Sequence, residues 1–120
     1  MSWNLSAALK GQNEQKVKAR RRYLLSALKR AYDDGVFSGN EDRVFVFGSL
    51  VHGEFHLRSD VDLAVEGEDV FLIAGKLYRY FESEDDFDVI PLDPDTPSVI
   101  KEAVYKYGKD IKSFLEESFS

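Results

Sequence analysis

At 120 residues the chain has the size of one domain, and with 43% hydrophobic and 13% aromatic residues it reads as a folded globule rather than a disordered chain. Its net charge of −6 is split: residues 1–40 carry eight Lys/Arg against three Asp/Glu, and residues 41–120 carry eight against nineteen. That acidic body argues against direct nucleic-acid binding and suits divalent cations held on carboxylates, while the absence of cysteine excludes disulfides, thiolate metal sites and a thiol nucleophile.

Residues 14–34 predict an amphipathic helix, with Val17, Arg21, Leu24, Leu28, Ala31 and Tyr32 at three- and four-residue spacing. Gly11 interrupts the pattern, so residues 4–11 are not assigned to it. Asp33-Asp34-Gly35 ends the helix, with Gly35 as its C′ residue. The basic run Lys16 to Arg22 reads first as a solvated helix face, and second as a docking surface for an acidic partner or for a partner's nucleic acid.

Arg43 to Phe47 is β-branched and aromatic and stops at Gly48, which predicts a buried strand. Asp60 to Val65 alternates and predicts a second strand. The short connection between the two favours an antiparallel pair, hence a mixed sheet. Residues 68–81 predict a helix with Val70, Ile73, Ala74, Leu77, Tyr78 and Phe81 in one stripe, and Glu68 and Asp69 near its positive end. Phe87 to Pro91 predicts a third strand, placed by Pro91 at an edge or an exit.

Thr96 is the expected N-cap of the next helix, with Pro97 at N1 and Ile100, Ala103, Val104 and Tyr107 as its apolar face. Gly108 breaks it, and residues 109–118 continue as a short helix. Tyr105, Tyr107, Phe114 and Phe119 read as core or interface packing. The expected order is α-β-β-α-β-α-α: one α/β (α+β) domain over residues 1–120, with a helical N-terminal region at 1–35, a motif-bearing core at 43–110, and helices mainly on one side of a small mixed sheet.

No apolar run approaches the ~20 residues of a bilayer span. Met1 to Gln12 lacks an apolar signal core, so the expectation is a soluble, cytoplasmic protein without membrane contact.

The chemistry lies between Phe47 and Leu63. A Gly48-Ser49 turn follows a buried strand, and ten residues later Asp60-Val-Asp62-Leu63 opens the next. Residues two apart on a strand share a face, roughly 6.5–7 Å apart, so Asp60 and Asp62 can share metal. Their mutual repulsion is relieved by a bound cation. Gly48 permits close backbone approach to a phosphate, and Ser49 adds a hydroxyl and an amide donor. Each feature alone is more often a plain turn or a solvated strand end. Their combination at this spacing is far more specific.

The segment resembles the signature of the DNA-polymerase-β-like nucleotidyltransferase superfamily, in the short form of the minimal nucleotidyltransferases. Gly53, Ser59-Asp60 and Asp62-Leu63 fit that spacing, and Asp88 to Asp93 resembles the strand carrying the third carboxylate. Pro97-Ser98 and Gly108 extend the likeness over roughly residues 43–110. The resemblance implies the polymerase-β-like fold, Mg²⁺ as cofactor on Asp60, Asp62 and Asp88, and ATP as nucleotide donor held by Gly48 and Ser49. Asp88 is preferred to Asp86 because Phe87 and Val89 flank it on the opposite, buried face, and Glu84 to Asp86 read as a solvated run. The family often has Arg where this chain has His52, which removes a permanent cation. His56 reads as a loop residue, and Arg58 as a loop arginine or a phosphate contact.

The implied activity is AMP transfer to a hydroxyl of a partner protein, a tyrosine of a helical HEPN-type toxin. The alternatives are an antitoxin acting by contact alone, and a small-molecule nucleotidyltransferase, which by resemblance carries an added helical domain that 120 residues do not hold. Base preference and homo-oligomer formation are left open.

Overall fold

The computed structural model describes residues 5–52, 55–67, 69–81 and 86–120, with side chains from residue 13 onward. Gly53, Glu68, Glu84 and Asp85, all singled out in the sequence, lie outside the described residues.

Helix α1 (Leu5–Asp33) runs unbroken through Gly11, longer than the periodicity indicates. Its end is a Schellman motif. Gly35 has φ +87°, the Gly35 N–H donates to Tyr32 O and the Val36 N–H donates to Ala31 O. Val36 and Ala31, the two apolar residues joined by that motif, are both buried.

Strands β1 (Val44–Phe47), β2 (Val61–Glu66), β3 (Phe87–Leu92) and β4 (Lys109–Asp110) form a sheet of order β3-β2-β1-β4. β1 is antiparallel to β2 and β4, and β2 is parallel to β3, so the sheet is mixed as expected. β3 is an edge strand, which is where Pro91 can be accommodated without a lost ladder bond. The crossover between β2 and β3 is α3 (Val70–Tyr80), whose stripe of Val70, Ile73, Ala74 and Leu77 is buried. Phe81 and Phe87, with ring centroids 3.8 Å apart, pin the end of α3 to the start of β3.

Three details differ from the sequence reading. A one-turn helix, α2 (Ser49–His52), follows Gly48 directly. Helix α4 (Ser98–Tyr107) starts one residue late, with Pro97 at the N-cap position and no side-chain capping hydrogen bond. The Thr96 hydroxyl is already committed: it accepts from Asp93 N–H and donates to Pro91 O, closing the preceding turn. The last segment is not all helix. Lys109 and Asp110 pair with β1, and α5 (Ile111–Ser118) begins after them, capped by Asp110 accepting from Ser113 N–H at 3.0 Å.

The two sheet faces are covered unequally. Val44, Val46, Val61, Leu63 and Val65 face α1, α3 and α5, where Leu24, Leu28, Ile73, Leu77 and Ile111 complete the main core. The other face holds only a small cluster of Ala64, Leu92 and Val104, joined by Phe45 and Phe47. Helices thus pack mainly on one side, with α4 alone on the other.

Candidate active site

Strand alternation decides where the acidic residues point. With Val61, Leu63 and Val65 in the main core, Asp62 faces the α4 side. Asp88 is its registered partner across the parallel β2–β3 pair, and Phe47 is its partner across the antiparallel β1–β2 pair. A row Asp88–Asp62–Phe47 therefore crosses three strands on one face. Asp88 is exposed, while Phe87 beside it is buried in the main core, as its flanking residues indicate.

Gly48 sits against this row. Its φ is +77°, a left-handed conformation, and a Cβ there would run into the Asp62 carboxylate, whose Cγ would lie 3.3 Å away. Both constraints demand glycine. The turn is anchored from below, because Leu50 of α2 is 1% exposed and Arg21 of α1 donates to Leu50 O at 3.3 Å.

Burial raises the pKa of Asp62, and the charges of Asp88 and then Asp60 raise it further. Asp62 thus feels both neighbouring carboxylates, and carboxylate oxygens are the donors a hard, oxygen-seeking cation takes. Among the described residues no three His, Asp or Glu side chains converge closely enough to hold a metal ion as they stand. The geometry gives the reason. Asp60 precedes β2 rather than lying on it, and its carboxylate is 3.5 Å from the Arg20 guanidinium.

In the sequence Arg20 is one residue of the basic run Lys16 to Arg22, a charged helix face or a docking surface. In the structure it reaches from α1 to Asp60, to Asp86 at 3.3 Å and to the backbone O of buried Ser59 at 3.1 Å. Asp86 is therefore occupied in an ion pair with Arg20. The available signal was spacing: Arg20 precedes Leu24 and Leu28 by four and eight residues on the buried stripe. His52 packs edge-on against Tyr107, with ring centroids 5.7 Å apart. His56 behaves as a loop residue, its N–H donating to Ser59 Oγ and its Nδ1 accepting from Arg58 N–H. Among the described residues no helix is long and apolar enough to cross a membrane.

Gly48, Asp62 and Asp88 are thus brought together, Ser49 opens α2 beside them, and Asp60 lies at the margin in an ion pair. A comparison with curated proteins finds no match. The family model described as Polymerase beta, Nucleotidyltransferase matches residues 38–117, two-thirds of the chain, including every strand. The turn, the carboxylate strands and the mixed sheet all fall within that match, and the chain belongs to the polymerase β nucleotidyltransferase family.

Proposed function

We propose that the chain transfers AMP from ATP to a hydroxyl of a partner protein, a tyrosine of a helical HEPN-type toxin, and so acts as its antitoxin. The observation that carries the transferase part is the row of Asp62 and Asp88 in register beside the Gly48 turn. Asp60, Asp62 and Asp88 would hold Mg²⁺, with Asp60 released from Arg20, and the ion would offset charge on the phosphate oxygens. The Gly48 backbone and the Ser49 hydroxyl hold the triphosphate. The acceptor oxygen bonds to the α-phosphorus, the bridging bond to the β-phosphate breaks and pyrophosphate departs. The acceptor proton passes to Asp88, which is exposed on an edge strand and open to a large acceptor.

A protein acceptor is supported by surface chemistry. Lys16, Lys18 and Arg22 are exposed along α1, and Tyr105, Tyr107 and Phe119 are exposed near the other end of the chain. Together they offer charged and aromatic contacts of the kind that dock a folded partner. The test is to incubate the chain with the protein encoded beside it, Mg²⁺ and ATP, and to weigh both by intact mass spectrometry. The expected result is one AMP on the partner, absent with Asp62→Ala. A partner that binds without gaining AMP points to action by contact alone. Transfer to a small alcohol without partner binding points to a small-molecule enzyme.

A further inference from the structure

The parallel pairing of β2 with β3 brings two pairs of aspartates to one end of the sheet. Asp62 and Asp88 are registered partners, and the rung before them is Val61 with Phe87. Asp60 and Asp86 stand one step earlier again, each directly before its strand. Arg20 of α1 takes this second pair. Its Nη2 lies 3.3 Å from the Asp86 carboxylate and 3.5 Å from that of Asp60.

The three holds on Arg20 are unequal. Nε donates to Ser59 O at 3.1 Å, and Ser59 is buried. Ser59 is itself fixed, since its N–H donates to His56 O and its Oγ accepts from His56 N–H. Asp86 accepts a hydrogen bond from Nη2, and its side chain is 14% exposed against 42% for Asp60. Asp60 is therefore the partner that can leave while the guanidinium stays anchored.

We propose that Arg20 is a positioning residue for the metal site: it holds Asp60 back from the Asp62–Asp88 row in the metal-free chain, and yields it to the ion on binding while Asp86 and Ser59 O retain the guanidinium. This rests on the nucleotidyltransferase reading above. Asp60 is two residues from Asp62, roughly 6.5–7 Å along an extended chain. The exchange needs only a new rotamer of the Asp60 side chain, because the backbone behind it is pinned at Ser59. Electrostatics supply the reason for a latch. Without a cation, Asp60 in the row would add charge beside Asp62, whose pKa is already raised by burial, then by Asp88 and Asp60. The guanidinium compensates Asp60 until the ion does so. Asp86 then spares Arg20 from becoming an unpaired, partly buried cation.

A latch that competes with the metal fixes the signs of the test, which measures Mn²⁺ affinity of the full chain by calorimetry without nucleotide. Arg20→Gln frees Asp60 and is expected to bind Mn²⁺ about two- to fivefold more tightly than wild type, the worth of a partly exposed ion pair. Loss of a merely structural arginine would weaken binding instead. Asp86→Asn leaves Asp60 as the only carboxylate on Arg20 and is expected to weaken binding by a similar factor. In the Arg20→Gln background Asp86→Asn is expected to have no effect, because no guanidinium remains to be shared.

Unchanged or weaker binding by Arg20→Gln overturns the assignment. So does an Asp86→Asn effect of equal size with and without Arg20, the mark of a plain change in local charge. Should Arg20→Gln fail to fold in a circular-dichroism melt, Asp86→Asn decides: weaker binding supports the latch, and equal or tighter binding overturns it. If the wild-type chain binds no Mn²⁺, or binds it equally well as Asp62→Ala, the nucleotidyltransferase reading itself fails, and the latch falls with it.

Discussion

The two faces of the sheet are built from the same strands yet serve different ends. One face meets three helices and is closed. The other meets α4 alone, and leaves Asp62, Asp88 and the groove between α2 and α4 accessible. Alternation along β2 makes the division sharp. Val61, Leu63 and Val65 anchor the strand from behind, so Asp62 is held in place while its own side chain stays half-buried beside Gly48. Stability is concentrated on one side so that polar and open surface can be tolerated on the other.

The largest stability loss is expected behind the sheet. Leu63→Ala removes a fully buried side chain and is expected to cost about 2–5 kcal/mol in urea unfolding. Gly48→Ala comes next, because a side chain at positive φ costs about 1–2 kcal/mol and would also displace the Asp62 carboxylate. Nucleotide transfer should therefore suffer more than folding, and a variant with normal turnover would show that the turn tolerates rearrangement.

Asp62→Asn should act in the opposite sense on the metal-free protein. Burial, then Asp88 and Asp60, raise the Asp62 pKa, so the folded state holds that proton more tightly than the unfolded chain. Its contribution is favourable at acid pH and is lost as pH rises through the folded value. The amide removes that loss, so a gain below about 1 kcal/mol after solvent screening is expected at neutral pH, and none below the ordinary carboxylate range. Thermal melts across pH without metal check this, and a pH-independent difference would refute the electrostatic cause. The smallest effect belongs to the open face: Val99→Ala, at a residue 70% exposed, should stay within about 0.5 kcal/mol. A loss matching that of Leu63→Ala would erase the contrast between the faces.

What the sequence makes legible follows from whether the cause is local. Periodicity locates α1, α3 and the three longer strands, and Pro91 marks the edge. The turn and the acidic residues are legible because glycine and paired aspartates are chemically distinctive. β4 is two residues long and exists only because β1 presents an unpaired edge, which no local pattern announces. Thr96 looks like a cap until the competing Pro91 carbonyl is known. Arg20 and Asp60 lie forty residues apart in the chain, so their pairing is a property of the packed helix alone. The stripe of α4 reads as an apolar face, but its exposure is not legible because periodicity reports amphipathicity, not what covers it.

The parallel pairing of β2 with β3 also bears on the order of assembly. β1 and β2 are sequence neighbours joined through the Gly48 turn, whereas β3 reaches β2 only after α3 has crossed over. Contacts between near segments close faster than distant ones. The Gly48 turn and Asp62 are therefore expected to meet early in refolding, and Asp88 to join them later. In pulse-labelled hydrogen exchange, amides shared by β1 and β2 would gain protection before those shared by β2 and β3. A refolding chain would then pass through a stage that has the Gly48 turn set against Asp62 while Asp88 is not yet beside them.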